Sequence, residues 1–161
     1  MGISVFPAPS AAGKTMKKVT LTTGTSYTVP AGVTEINVLL VGGGGGAARS
    51  LPSYYSTGIA AGHPGQTVWS TITTSGGSSI SYSIGAGGTG GNVNTGGTGG
   101  NTTMTGATTA NGGNGGVYDG NALAASYSFA NNGGKVSCAA DVVVGNGGAG
   151  GQGYIEVEYW S

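Results

Sequence analysis

Five consecutive glycines, Gly42 to Gly46, directly follow the heptapeptide EINVLLV of Glu35 to Val41. Each glycine costs roughly 0.5–1 kcal/mol relative to alanine in a helix or strand. A chain with 37 glycines in 161 residues needs another ordered state, one in which the missing Cβ is itself required. Gly-Gly-x recurs in GGTGGN (twice), NGGNGG and GNGGAGGQG, always with a period of three. That period fits an extended helix of the polyproline II type, which has no internal hydrogen bonds and must find partners for its N–H and C=O groups in neighbouring segments. The strict G-X-Y repeat and high proline of collagen are missing. The expectation is a bundle of parallel and antiparallel polyglycine II helices, each six-residue segment about 19 Å long, with the non-glycine insertions as loops at its ends.

Glycine-rich chains are commonly disordered, but disorder usually brings high net charge and few aromatic or β-branched residues. This chain has a formal net charge of zero, eight tyrosines and two tryptophans, and reads as ordered. Charged residues are 6% of the sequence, against about 25% in ordinary soluble proteins. The five basic residues, Lys14, Lys17, Lys18, Arg49 and Lys135, form no stripe able to follow a phosphate backbone, which argues against nucleic acid. One cysteine, Cys138, and one histidine, His63, give neither an internal disulfide nor a zinc spacing. No apolar run reaches the length of a membrane span, and MGISVFPAPSAAGK lacks the apolar core of a signal peptide. The expected cofactor set is empty and no membrane insertion is expected.

Period-2 alternation predicts strands at Val19 to Leu21, Tyr27 to Val29, Glu35 to Val41, Ser78 to Ile84 and Tyr154 to Trp160, and richness in threonine and other strand-favouring residues predicts them at Gln66 to Thr73 and Asn101 to Thr105. Turns are expected at Gly24, at Pro30-Ala31-Gly32 and at Gly62-His63-Pro64-Gly65. Ser75-Gly76-Gly77 reads as the turn of a hairpin joining 66–73 to 78–84. Glu35 to Val41 should be the central strand, with Ile36, Val38 and Leu40 on its buried face. No helix of any length is indicated; Asn121 to Phe129 is the one short candidate. The fold class is all-β: a small antiparallel sheet or sandwich combined with the polyglycine II bundle. Residues 1–16, with Pro7 and Pro9, form an extended arm, and 17–161 form the domain.

Two formal motifs fail on context. Gly85-Ala86-Gly87-Gly88-Thr89-Gly90 matches a dinucleotide fingerprint, but no amphipathic helix follows it. Ala12-Gly13-Lys14-Thr15 ends like a phosphate loop, yet Ala8 stands where its first glycine belongs. The five carboxylates are scattered singly, so the expectation is no enzyme.

TSYTVPAGVTEINVLLVGGGGG (25–46), GHPGQTVWSTITTSGGSSISYSIGAGGTGG (62–91), GGNTTMTG with TTANGGNGG (99–116) and GNGGAGGQGYIEVEYW (145–160) resemble, in that order, the glycine-rich domain of bacteriophage tail-fibre and receptor-binding proteins. The resemblance implies a virion protein, assembled in the host cytoplasm, acting as a tail-fibre or tail-tip adhesin, with a homotrimer expected and a monomeric cap as the alternative. Its partners would be a bacterial surface receptor, either an outer-membrane protein or a glycan, and other virion proteins. The variable loops would be 47–61, 117–132 and 135–144. Within them Tyr54, Tyr55, Tyr118, Tyr127 and Phe129 supply broad contact area, and Arg49, Asp119 and Lys135 supply polar contacts. Phe6, Pro7 and Pro9 of the arm are the expected virion attachment. The alternative is a structural virion protein, a head fibre or capsid decoration, without receptor binding; an ice-binding protein is disfavoured by the long irregular insertions.

Overall fold

The computed structural model describes residues 13–49, 59–91, 95–117 and 149–161. The expected helix candidate at 121–129 lies outside them. Among the described residues the chain is all-β and contains no helix. The described residues form nine strands, in chain order β1 (Met16–Leu21), β2 (Ser26–Thr28), β3 (Glu35–Val41), β4 (Ala48–Arg49), β5 (Ile59–Ala60), β6 (Thr67–Thr73), β7 (Ser79–Ser83), β8 (Thr103–Met104) and β9 (Tyr154–Trp160). One sheet has the order β1-β9-β3-β6 and a second the order β2-β7-β8, both antiparallel; β4 and β5 form a separate pair.

The two larger sheets face each other across one apolar interior. Ile36, Val38 and Leu40 of β3, Ile155 and Val157 of β9 and Ile72 of β6 meet Tyr27, Ile80, Tyr82 and Met104 from the opposite sheet. β3 is an interior strand, paired to β6 on one side and β9 on the other. Leu40 lies opposite Ile155 and Val38 opposite Val157, so the inward rows are aliphatic from β1 through β3; on β6 the first continues with Val68 and the second ends in Ser70. Fully burying each of these side chains contributes about 1.5–3 kcal/mol.

The expected 66–84 hairpin does not form. β6 pairs with β3 and β7 pairs with β2, in different sheets. The turn at Ser75 to Ser78 is therefore an arch that carries the chain from one sheet to the other. It stacks on a like arch at Pro30 to Val33: the Gly77 N–H donates to the Val29 carbonyl, the Val29 N–H to that of Ser78, and the Thr74 N–H to that of Thr34. Gly32 and Gly77 have φ of +79° and +82°, the left-handed backbone that such turns demand of glycine. Gly76 has no room for a side chain, since a Cβ there would lie 2.6 Å from the Gly32 nitrogen. Alternation in 78–84 sets Ile80 and Tyr82 on one face, and both are buried; Ile72 of β6 is buried too, and the two arches set those faces opposite each other instead of side by side.

Beyond the ends of β3, β7 and β8 the glycine-rich segments form an array with a different hydrogen-bond logic. Residues 42–47 occupy its centre. The N–H groups of Gly42 and Gly45 donate to Gln66 and His63, those of Gly43 and Gly46 to Gly100 and Gly97, and that of Gly44 to Gly151. The recipients change in rotation with a period of three. In return, the Gly44 and Ala47 carbonyls accept from Gly88 and Gly91, and those of Gly43 and Gly46 from Gly113 and Gly116. Five segments thus surround the central one: 61–66, 84–91, 95–101, 110–117 and 149–153. They also bond to each other in sequence around it, the His63 N–H donating to Asn114, the Gly99 N–H to Gly113, the Gly100 N–H to Ala86 and the Gly150 N–H to Gly88.

Burial explains the sequence pattern. All of Gly42 to Gly46 are buried, whereas in 111–117 the non-glycine residues Asn111, Asn114 and Val117 are exposed and Gly113 and Gly116 are buried. Thr95, Thr98 and Asn101 repeat that exposure in the next segment. A central segment with neighbours all round requires glycine at every position, and a peripheral one can carry a side chain on each third residue.

His63-Pro64 corrects a second expectation. It lies within an extended segment, not a turn: N–H groups are used there at His63 and Gln66, three residues apart. Proline, which has no N–H, falls at a position that needs none.

Candidate functional site

Direction of travel through the array decides what gathers where. Segment 42–47 leaves β3 and runs away from the sandwich, and 61–66 returns to β6. In the same way 84–91 runs out from β7 and 95–101 returns to β8, and 110–117 runs out and 149–153 returns to β9. The bonding agrees, with Gly88 and Gly91 donating in parallel register to Gly44 and Ala47, and Gly113 and Gly116 to Gly43 and Gly46. All three outward-to-inward connections therefore leave from one end of the array.

The described residues at that end are closely tied. Ala48 and Arg49 pair with Ala60 and Ile59, Thr95 forms a bridge with Val117, and the Gly91 N–H reaches the Ala47 carbonyl at 2.9 Å. Gly13 and Ser161 are at the other end of the molecule, where the Thr15 N–H donates to Ser161 and the Ser161 N–H to Thr15. Met16 and Trp160 form the adjoining register pair.

Arg49 stands at this distal end, on β4 opposite Ile59. Tyr54 and Tyr55 belong to the connection between β4 and β5, and Tyr118, Asp119, Tyr127, Phe129 and Lys135 to the connection between Val117 and Ala149; all seven lie outside the described residues, as do Phe6, Pro7 and Pro9. What the structure brings together is the paired bases of those two connections. It adds a third, the short connection between Gly91 and Thr95, which a reading of the sequence merges into the surrounding glycine repeats. The only signal there is the break in Gly-Gly-x spacing at Asn92-Val93-Asn94.

Among the described residues the charged side chains other than Arg49 lie away from that end: Lys14, Lys17, Lys18, Glu35, Glu156 and Glu158. On the outer face of the four-stranded sheet, Lys18 Nζ lies 2.7 Å from Glu156 and 3.6 Å from Glu158. The hydrogen bond to Glu156 raises the Lys18 pKa above the ordinary lysine value, with the two carboxylate charges adding to it. Since the folded value is the higher one, this contribution is complete below the ordinary lysine pKa and is lost as pH rises through the folded value. Burial likewise raises the Tyr27 phenol, helped by Tyr159, and the Tyr154 phenol, helped by Glu156; their neutral forms favour the fold, so their contribution fades over the same alkaline range. The expected result is a melting temperature that falls above about pH 10, with Lys18→Met reducing the fall; thermal melts from pH 8 to 11 check it.

Among the described residues no three His, Cys, Asp or Glu side chains cluster as a metal site, and no helix is long and apolar enough to cross a membrane. Trp69 and Trp160 are 61% and 55% exposed, sheet-surface residues and not core.

The sequence profile of the glycine-rich domain family fits residues 20–159. No curated protein matches significantly. The chain belongs to the glycine-rich domain family.

Proposed function

We propose that this member of the glycine-rich domain family is a bacteriophage virion protein, a tail-fibre or tail-tip adhesin that binds the host surface through loops carried at one end of a glycine-rich scaffold. The observation that carries the proposal is polarity. Three connections leave the array at one end, while Gly13, which residues 1–12 precede, lies at the other. An adhesin needs that division, with recognition at the tip and attachment at the base. The scaffold itself we read as a bundle of polyglycine II helices; the three-residue rotation of hydrogen-bond partners about Gly42 to Gly46 and the exposure of each third residue in 111–117 support it.

In this reading Tyr54, Tyr55, Tyr118, Tyr127 and Phe129 present aromatic surface to a bacterial outer-membrane protein or glycan, and Arg49, Asp119 and Lys135 add polar contacts. The arm that carries Phe6, Pro7 and Pro9 serves attachment to another virion protein, and the assembly is a homotrimer. The activity is binding and not catalysis.

Competition of phage adsorption by the purified protein tests the proposal. Wild type is expected to block adsorption in a dose-dependent way. A combined Tyr54→Ala, Tyr55→Ala and Tyr127→Ala variant should lose blocking at least tenfold, about 1.4 kcal/mol, with an unchanged unfolding midpoint. Folded wild-type protein that does not bind cells would transfer the role to capsid or head-fibre decoration.

A further inference from the structure

The outer face of the four-stranded sheet has no layer of the described protein over it. Across it, register places Lys18, Glu158, Asn37 and Thr71 in one row and Thr20, Glu156, Leu39 and Trp69 in another, with Met16 opposite Trp160 towards the basal edge. Thr71 donates a hydrogen bond to the Asn37 side-chain oxygen at 2.8 Å, and Lys18 is held by the two glutamates, so the polar groups of the face are largely paired within it. Besides the buried Tyr154 hydroxyl, which has no hydrogen-bond partner, what remains is apolar and exposed: Trp69, Trp160 and Met16, the last 51% exposed.

We propose that residues 1–12 of this same chain are the occupant of that face. Three observations converge. The chain reaches the described structure at the corner of the face: Gly13 has φ +110°, the left-handed backbone of a reversal, and Met16 is three residues on, beside Trp160. Length suffices. From Met16 to Trp69 the path crosses three strand spacings and four residues of strand, about 20 Å on the diagonal; Val5 precedes Gly13 by eight residues, about 26 Å of extended chain. Chemistry fits. Residues 2–12 carry no charged side chain, and in extended alternation Ile3, Val5, Pro7 and Pro9 share one side against Gly2, Ser4, Ala8 and Ser10 on the other. The prolines favour the extended form and lack the N–H that a chain lying flat on a sheet face could not pair.

Pro7 and Pro9 then cover Trp160, and Ile3 and Val5 reach Trp69. Phe6 falls on the opposite side of the segment, facing away from the sheet and free for a separate partner. This docking is independent of what the distal loops bind.

Trp69 and Trp160 are the only tryptophans, so acrylamide quenching of their fluorescence reports on the face directly in the full chain. Trp160→Phe isolates Trp69. Quenching of the wild-type protein well below that of a free indole is expected, and Ile3→Asp with Val5→Asp should raise quenching of Trp69 towards the free-indole value with no change in unfolding midpoint. Indoles already as accessible as free indole in the wild type, or quenching indifferent to the double substitution, would overturn the proposal. Protection that disappears on dilution, in step with dissociation seen by sedimentation, would also overturn it by making a second copy the occupant.

Discussion

Gly45→Ala is expected to lower stability by about 3 kcal/mol, the upper part of the range for forcing extra volume into a closed interior, and to shift the urea midpoint accordingly. A Cβ on Gly45 would meet the Asn114 carbonyl oxygen and carbon and the Gly113 oxygen, all inside 3.0 Å. These are backbone atoms, in a segment whose own Gly113 and Gly116 N–H groups are bonded to the centre of the array. No rotamer can relieve the overlap, so the two segments must separate and the bonds from Gly113 to Gly43 and from Gly116 to Gly46 lengthen with them. Gly43→Ala should behave alike, since its Cβ would strike the Ala86 carbonyl. Thr98→Ala is the control: Thr98 occupies the exposed third position of its segment, and its loss should change stability by no more than about 0.5 kcal/mol. With total stabilities of about 5–15 kcal/mol for domains of this kind, the two outcomes are easily separated.

Thr102→Val is the second large effect, at about 2 kcal/mol or more. Thr102 is the one fully buried polar side chain among the described residues. Its hydroxyl donates to the Val41 carbonyl at 2.7 Å and accepts from the Gly85 N–H at 2.9 Å. Those contacts tie together the end of β3, the start of segment 84–91 and the return into β8, where sandwich passes into array. Gly153 closes the junction, with a Cβ there landing 2.5 Å from the Thr102 hydroxyl. Valine has nearly the same volume, so packing survives while a buried donor and a buried acceptor both lose their partner. Thr102→Ser keeps the hydroxyl and gives up one methyl group, and should cost about 1 kcal/mol. A chemical-unfolding comparison of the two variants separates the hydrogen bonds from the packing; equal losses would show that the hydroxyl contributes nothing.

Much of this fold can be read from the residues, and the limits of that reading have a physical cause. The alternation in EINVLLV and YIEVEYW assigns Ile36, Val38, Leu40, Ile155 and Val157 to the interior, where they are found. Alternation specifies which face is buried but not which strand lies alongside. Ser75-Gly76-Gly77 suits a hairpin and an arch equally, and the choice depends on its stacking over Pro30 to Val33, a contact between segments far apart in the chain. The contrast between five glycines in a row and Gly-Gly-x elsewhere carries more than composition suggests, because it separates the central segment from those at the periphery. Thr102 gives no local sign; it reads as one of several threonines in NTTMT until Val41 and Gly85 are placed on either side of it. The distal end is legible only in part. Its long insertions stand out by composition, whereas the convergence of three connections there follows from the alternation of outward and inward segments, which no single stretch encodes.

The most direct test of the account is residue-resolved amide hydrogen exchange across the glycine segments. The prediction is slow exchange at every residue from Gly42 to Gly46, and at the peripheral pairs Gly88 and Gly91, Gly97 and Gly100, Gly113 and Gly116, and Gly150 and Gly153, each pair three residues apart. Ala86, Thr98 and Asn114, whose N–H groups have no backbone partner among the described residues, should exchange quickly. Protection alternating with a period of two, or rapid exchange throughout Gly42 to Gly46, would contradict the array and with it the scaffold on which the distal loops are proposed to stand.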